Sequence, residues 1–560
     1  MIYSQRTPAL LIIGIVMLLW GWLNQAGQLD SLQGWLHPSV YKQHKDGISK
    51  HAAAVKESAE KAAAEGKAAA AAPAIKPSGF DRLKAGQARL AYVFGAIFAL
   101  LGIAVLLKTP KEGELDYYLS IFPGIAFILG IAFIVRWGLD PMFGNWGRAA
   151  QPTLGWNFAS IFNLNYVVLG IVLGIIIVNV FSIPAWAANG VRTARFFLKT
   201  GVILLGTLYS AAELAQLGAL SVVMIGIFVL GSVWLVLLWG PRMGATNSMT
   251  GVLSAGVGVC GVSAAVASAP VVNAKAVDIA YTIGTILVWG VLCMFIFPTV
   301  GQLFKMGPVQ FGAWAGTGIL NSAQVAGAAL AFDPKGIETL KVAEIFNITR
   351  ILFLPIIVIW LATWYVKREE TATKVDLTQV LVSKFPVFVL GFIAMFILSS
   401  AGLFAPAGHY QGRYFASDEV KKENLLGDKD VEAVTALLPK ARNAQEAQAL
   451  QGLITDRKET TRGQDVLLRG VAKIEGLDKA AKDALGKAHN AAWHSSKTIA
   501  AYRDWLAWLF SFGLIGLGMQ ITGKSLKQAG GKPLVIGSVV GLIKAVGSLI
   551  VVLLFVREFV

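Results

Sequence analysis

The chain has 560 residues and a net charge of +16, with 55% hydrophobic residues and only 15% charged ones. Soluble domains carry roughly 25% charged residues, so an ordinary soluble protein is excluded. The basic surplus does not mark a nucleic-acid binder either: Lys and Arg lie between apolar runs and in two hydrophilic stretches, with no basic patch interleaved with stacking aromatics. Cys260 and Cys293 both fall inside apolar runs, which excludes a disulfide framework and a cysteine zinc site.

A helix needs about 20 apolar residues to cross a bilayer core, and apolar windows predict about thirteen spans. The first, near 8–27, follows Arg6 and ends without a small-x-small cleavage pattern, so residues 1–29 read as a retained anchor rather than a signal peptide. Residues 30–86 form a hydrophilic insert, whose tract His51–Ala72 predicts an exposed helix ended by Pro73 and Pro77. Spans near 88–107, 117–135, 164–182, 195–212, 219–239, 247–268, 277–299, 309–331, 342–366 and 384–404 make the first part of a transmembrane domain, 87–404. A second insert, 405–500, has amphipathic spacing over Val431–Leu438, Gln445–Leu453 and Val466–Ile474, which predicts a compact helical cap. Spans near 503–521 and 533–556 complete the domain within 501–560.

Loop charge sets an expected orientation. With the N-terminus inside, the short outer loops hold only Arg136, Arg148, Lys275, Lys335 and Lys341. The expectation is a multi-pass protein of the bacterial inner membrane, with its N-terminus cytoplasmic and both inserts periplasmic.

An internal repeat runs through the apolar part. The segment Thr200–Gly206 resembles Phe512–Gly518, and Leu214 and Gly218 match Leu526 and Gly530, all at a constant offset of 312 residues. Upstream, Val168-Leu169-Gly170 resembles Val389-Leu390-Gly391. An odd number of intervening spans inverts the second copy, the arrangement common in secondary transporters.

Two spans are poor lipid-facing helices. Ser248–Ser268 is crowded with Gly251, Gly256, Gly258 and Gly261, and Gly312–Ala331 carries Gly316, Gly318, Asn321, Ser322 and Gln324. Glycines at this density predict breaks, and broken backbone is tolerated at membrane depth only where it is buried in protein or lines a cavity. Close helix packing is the competing explanation for the glycines, but buried amides need polar partners. The candidate substrate-binding residues are therefore Gly258, Cys260, Gly261, Ser263, Asn321, Ser322, Gln324 and Arg350. Arg350 supplies positive charge or snorkels, Lys544 is buried or snorkels, and Lys275 pairs with Asp278 at an interface. Enzyme motifs are missing from the sequence, no cofactor or metal is implied, and the histidines (37, 44, 51, 409, 489 and 494) read as solvated insert residues.

The segments Val259–Ala264, Gly312–Gly316, Ala323–Ala326 and Thr349–Pro355 resemble the bacterial YeiH-type family of membrane proteins, which carries a sulfate-exporter assignment. The resemblance covers about 115–404 and 503–556. It implies a fold similar to the crossed-broken-helix transporters of the bile-acid symporter and sodium–proton antiporter type. Two departures bear on mechanism or cargo: the family's ionisable His–acid pair is replaced here by Asn321-Ser322, and its polar residue near position 262 by Val262.

The fold class expected is all-α: a polytopic membrane protein with inverted repeats and two crossed broken helices, plus helical extramembrane inserts. The expected function is secondary transport of a small anion (sulfate, sulfite or a small organic anion) by alternating access, without enzymatic activity. A proton- or sodium-coupled exchanger is disfavoured by the lack of a clear mid-span Asp or Glu. The reading outside transport is a membrane scaffold or sensor that binds a partner through the periplasmic insert. Expected partners are a small anionic solute and the lipid bilayer, not nucleic acid; a homodimer is compatible with this class.

Overall fold

Lipid leaves a spanning segment no water to bond its backbone, so the segment must be a helix or part of a closed barrel. Every regular element among the described residues is a helix. The computed structural model describes residues 7–64, 78–107, 114–154, 157–162, 164–209, 211–334, 337–369, 387–404, 425–457, 462–472, 474, 476–493, 497–527 and 530–556.

Six described helices are long and apolar enough to cross a membrane: Gly79–Leu107, Tyr117–Leu154, Leu217–Arg242, Ala276–Leu303, Glu338–Val366 and Gly531–Phe555. The pair Ala9–Gln25 and Asp30–Leu36, bent by 88°, makes a seventh if taken as one span. This is fewer than the windows read from sequence, because hydropathy averages across breaks. The windows near 164–182 and 384–404 hold the shorter helices Tyr166–Phe181 and Val387–Ser400, and that near 195–212 holds Ala194–Leu205. The protein is a multi-pass, all-helical membrane protein.

The chain divides into two compact units, Met1–Ala194 with Gly518–Gln520, and Arg195–Leu517 with Ile521–Val560. In the first, Ala9–Gln25 packs on Gly79–Leu107 through small residues. A Cβ at Gly14 would lie 2.5 Å from the Ala99 nitrogen, and one at Gly102 2.6 Å from that of Leu11. Glycine permits this approach where lipid offers no hydrophobic drive for association. The span begins at Gly79, ahead of the window near 88–107, and its Gln87 accepts side-chain hydrogen bonds from Asn24 and Gln33 at 3.2 and 2.9 Å. The tract His51–Ala72 is helical as far as Ala64, the end of the helix Pro38–Ala64; its remainder, with Pro73 and Pro77, lies outside the described residues.

The second unit contains both broken helices and the second insert. Within that insert the helices Asp428–Thr435, Ala444–Asp456, Arg462–Val471 and Lys479–Trp493 surround a core of Val434, Leu450, Leu453, Leu468, Val471 and Leu485. The last of these helices was not read from sequence, because its buried face is built mainly from Ala481, Ala484 and Ala488 rather than large apolar residues. Residues 405–424 lie outside the described residues, as do His409 and His494. His489 bonds Asp465 at 2.9 Å.

The repeat is visible as one contact made twice. A Cβ at Gly206 would lie 2.5 Å from the Phe392 carbonyl oxygen; at Gly518, the matched position, it would lie 2.4 Å from that of Ile171. Phe392 and Ile171 each follow the glycine of the matched Val-Leu-Gly triplets. Each copy's glycine thus meets the other copy's triplet helix.

Candidate functional site

Thr246 starts the first broken helix, its hydroxyl accepting the Met249 N–H at 3.2 Å, a standard helix-starting bond. The helix Asn247–Gly258 then stops, Val259 turns away (φ −102°, ψ −106°) and Gly261 takes φ +80° before the chain resumes as Val262–Ser268. Only glycine adopts that φ without penalty. The second helix runs over Pro308–Gly318, goes extended through Ile319 and Asn321, and resumes as Ser322–Phe332. The Asn321 side chain accepts the Ala323 N–H at 3.4 Å and starts the second half.

The two breaks touch. A Cβ at Gly261 would lie 3.0 Å from the Asn321 Cα and 3.1 Å from the Leu320 carbonyl oxygen, and the Ser322 N–H donates to the Cys260 carbonyl at 3.5 Å. Each break leaves helix-end carbonyls unpaired in a buried place, where orphan acceptors are costly. Two buried cations answer them. Lys544 Nζ donates to the carbonyls of Val257 (3.1 Å) and Gly258 (2.9 Å). Arg350 Nη1 donates to the Ile319 carbonyl. Positive charge is favoured at a helix C-terminus, so both residues are held in the interior rather than snorkelling. Arg350 Nη2 also bonds Asn347 Oδ1 at 2.9 Å and Ser322 Oγ at 3.3 Å, while its Nε has no partner among the described residues.

A cavity of about 630 Å³ opens beside the crossing. Its wall includes Cys260, Ser263, Asn321 and Ser322, and also Arg195, Lys199, Glu344 and Asn347. Lys199 and Ser263 are exposed, whereas Cys260, Asn321, Glu344 and Asn347 are buried. The cavity therefore runs from an accessible, basic mouth to a sealed polar floor. Near the mouth the Lys199 ammonium lies 5.6 Å from the centre of the Phe388 ring, a second wall residue.

Of the residues singled out in the sequence, Cys260, Ser263, Asn321 and Ser322 are brought together on this wall; Gly258, Gly261, Gln324 and Arg350 are not. Gly258 and Gly261 shape the first break, and Arg350 stands behind Ser322 and Asn347. Gln324 points elsewhere: it is fully buried, with neither amide atom partnered among the described residues, and a Cβ at Gly290 would overlap its side-chain oxygen. Asp278 does not pair with Lys275; it accepts the Ser248 hydroxyl at 2.6 Å.

The sequence reading missed Arg195, Lys199, Glu344 and Asn347 as wall residues. Glu344, Asn347 and Arg350 recur at intervals of three along the helix Glu338–Leu352, a spacing that places side chains on one face. That signal was present, but only the fold shows that this helix is buried along almost its whole length.

Residues 123–412 match the family model described as Conserved hypothetical protein 698. A UPF0324 membrane protein of Nitratidesulfovibrio vulgaris is 34% identical over 80% of this chain and 98% of its own length. A second from the same organism is 39% identical over 53% of this chain and 81% of its own length. A UPF0324 membrane protein of Rhodopirellula baltica is 27% identical, over 57% and 55% of the two chains. No solved structure matches the chain. These relatives bear out the YeiH-type resemblance at the level of the family, and their names state no cargo. From the extent of the match and the near-complete coverage of the first relative, the chain belongs to the UPF0324 family of membrane proteins.

Proposed function

We propose that the protein is a secondary transporter that binds a small anion in the cavity at the crossed breaks. One observation carries this reading: the residues at the two breaks, Cys260, Ser263, Asn321 and Ser322, line a cavity of about 630 Å³ that also has Lys199 and Arg195 on its wall. The 11-residue helix Ser322–Phe332 starts at this wall, and a helix N-terminus carries partial positive charge. Its first N–H groups are held only by long bonds, 3.5 Å for Ser322 and 3.4 Å for Ala323, so an anion can compete for them. Interrupted helices that place a half-helix terminus at a mid-membrane site suit alternating access between inverted repeats. Sulfate, sulfite and small organic anions fit the volume and charge.

The membrane is the bacterial inner membrane, with a cytoplasmic N-terminus and both inserts periplasmic. Cysteine labelling of the insert helix Lys479–Trp493 from the periplasmic side tests that orientation; protection in intact spheroplasts would refute it.

Flux into proteoliposomes of labelled sulfate, sulfite and oxalate tests the transport reading. Asn321→Ala should raise KM about tenfold or more, the loss of a hydrogen bond to a charged partner being worth about 1.5–3 kcal/mol. Failure of the wild type to carry any of the three would defeat the proposal.

A further inference from the structure

Among the described residues Glu344 is the sole acidic group lining the cavity, and it lies at the sealed end, 1% exposed. Among the described residues no cation forms an ion pair with its carboxylate. Asn347 bridges instead: its amide donates to Glu344 Oε2 at 3.0 Å, and its oxygen accepts from Arg350 at 2.9 Å. The same Arg350 nitrogen reaches Ser322 Oγ. A line of hydrogen bonds thus joins the carboxylate to the first residue of the second half-helix.

The other charged and titratable groups around it are accounted for. Arg195 and Lys199 line the same cavity, as does Cys260 on the first break. On its own helix, Lys341 lies 3.9 Å from Glu338. Lys544 is occupied by the carbonyls of the first half-helix. A bound anion and an ionised Glu344 would therefore share one set of positive groups, and each weakens the hold on the other. Linkage is reciprocal: if an anion favours the protonated carboxyl, protonation favours the anion by the same factor.

From this geometry we propose that Glu344 takes up a proton from cavity water as the anion binds, so that anion and proton travel together as a symported pair. The inference rests on the transport reading and assigns its coupling ion. It reverses the sequence-based argument against proton coupling, which found no clear mid-span carboxylate.

The test uses the full chain in proteoliposomes, with the membrane potential clamped and whichever of sulfate, sulfite or oxalate is carried. One pH unit, alkaline inside, should give about tenfold accumulation for one proton per anion, since one unit corresponds to a tenfold ratio. Glu344→Gln should let the anion move down its own gradient without accumulation and without acidifying the interior. Glu344→Asp should keep accumulation but shift the pH midpoint of the rate. Should Glu344→Gln carry nothing, Glu344→Asp decides, and an unmoved midpoint overturns the proposal. So does wild-type flux indifferent to the pH gradient, or accumulation that persists in Glu344→Gln. Absence of any wild-type flux is a different result, which removes the transport reading itself.

Discussion

The ammonium of Lys544 lies 2.9 Å from the carbonyl oxygen of Gly258, closing the end of a half-helix that has no following turn. Arg350 does the same at Ile319, where the helix Pro308–Gly318 ends. Two interrupted helices thus keep their C-terminal ends neutralised by protein, while the start of Ser322–Phe332 faces the cavity. This division gives the crossing an electrostatic direction, because negative partial charge is answered internally and positive partial charge is left for a ligand.

Lys544→Met keeps the volume and removes the donor. Two buried carbonyls then lose their partner, at about 1–3 kcal/mol for each unsatisfied group, offset in part because a desolvated charge disappears as well. The expected outcome is a lower melting temperature for the detergent-solubilised protein. An unchanged melting curve would mean that other donors satisfy Val257 and Gly258.

Gly261→Ala forces a side chain into the left-handed region and toward the backbone of Asn321. The conformational cost alone is about 1–3 kcal/mol, and the neighbouring backbone at 3.0 Å cannot rotate away. Gly231→Ala is the control, since a Cβ there meets nothing within 4 Å, and its effect should stay within about 1 kcal/mol. Equal effects of the two substitutions on thermal stability would show that the breaks do not depend on close approach.

Much of this was legible in the sequence. Gly258, Gly261, Gly316 and Gly318 mark the breaks because glycine weakens a helix and permits turns. The repeat was legible because the glycines at 206 and 518 are required by the same close contact. The cavity floor was harder to read. Glu344 and Asn347 open a predicted span, where polar residues ordinarily mark a membrane surface, and only packing on several sides buries them. Arg195 stands at the very start of a predicted span, where a charge ordinarily marks a membrane surface, yet it belongs to the helix Ala194–Leu205 and lines the cavity. Gln324 shows the converse: its residue type suggested a ligand, but its position on the helix turns it toward Gly290.

The insert should lose stability in acid. Burial pushes the Asp430 carboxyl up, but hydrogen bonds from Lys487 and the Gly427 N–H, with the Lys487 charge, outweigh it and hold the carboxyl low. Burial raises Glu446 as well, and hydrogen bonds from the side chain and backbone of Arg442 overcome it. A carboxyl held low in the folded state contributes stability that is full above its unfolded value, about 4, and is lost as pH falls through its folded value. Hydrogen exchange over Asp428–Trp493, corrected for intrinsic rates, should be flat from about pH 7 to 5 and rise in acid below about pH 4. Glu446→Gln should cost about 1 kcal/mol at neutral pH, because Arg442 is half-exposed and screened, and should blunt the acid loss. Acid sensitivity identical to wild type in both Asp430→Asn and Glu446→Gln would refute the assignment.

Arg350 and Asn321 can be told apart by what each substitution disturbs. Arg350 stands behind the wall, and its fork supplies Ile319, Asn347 and Ser322 at once. Lysine brings charge but not that planar geometry, so Arg350→Lys leaves buried acceptors unfilled at about 1–3 kcal/mol each. Its main effect should be a fall in melting temperature, with anion affinity changed less. Asn321 lies on the wall, so Asn321→Ala should weaken the anion more than the fold. Melting curves and half-saturation measured on both variants should therefore cross. If Arg350→Lys instead weakens the anion strongly while melting like the wild type, the guanidinium is itself a ligand and the cavity must extend to it in another conformation.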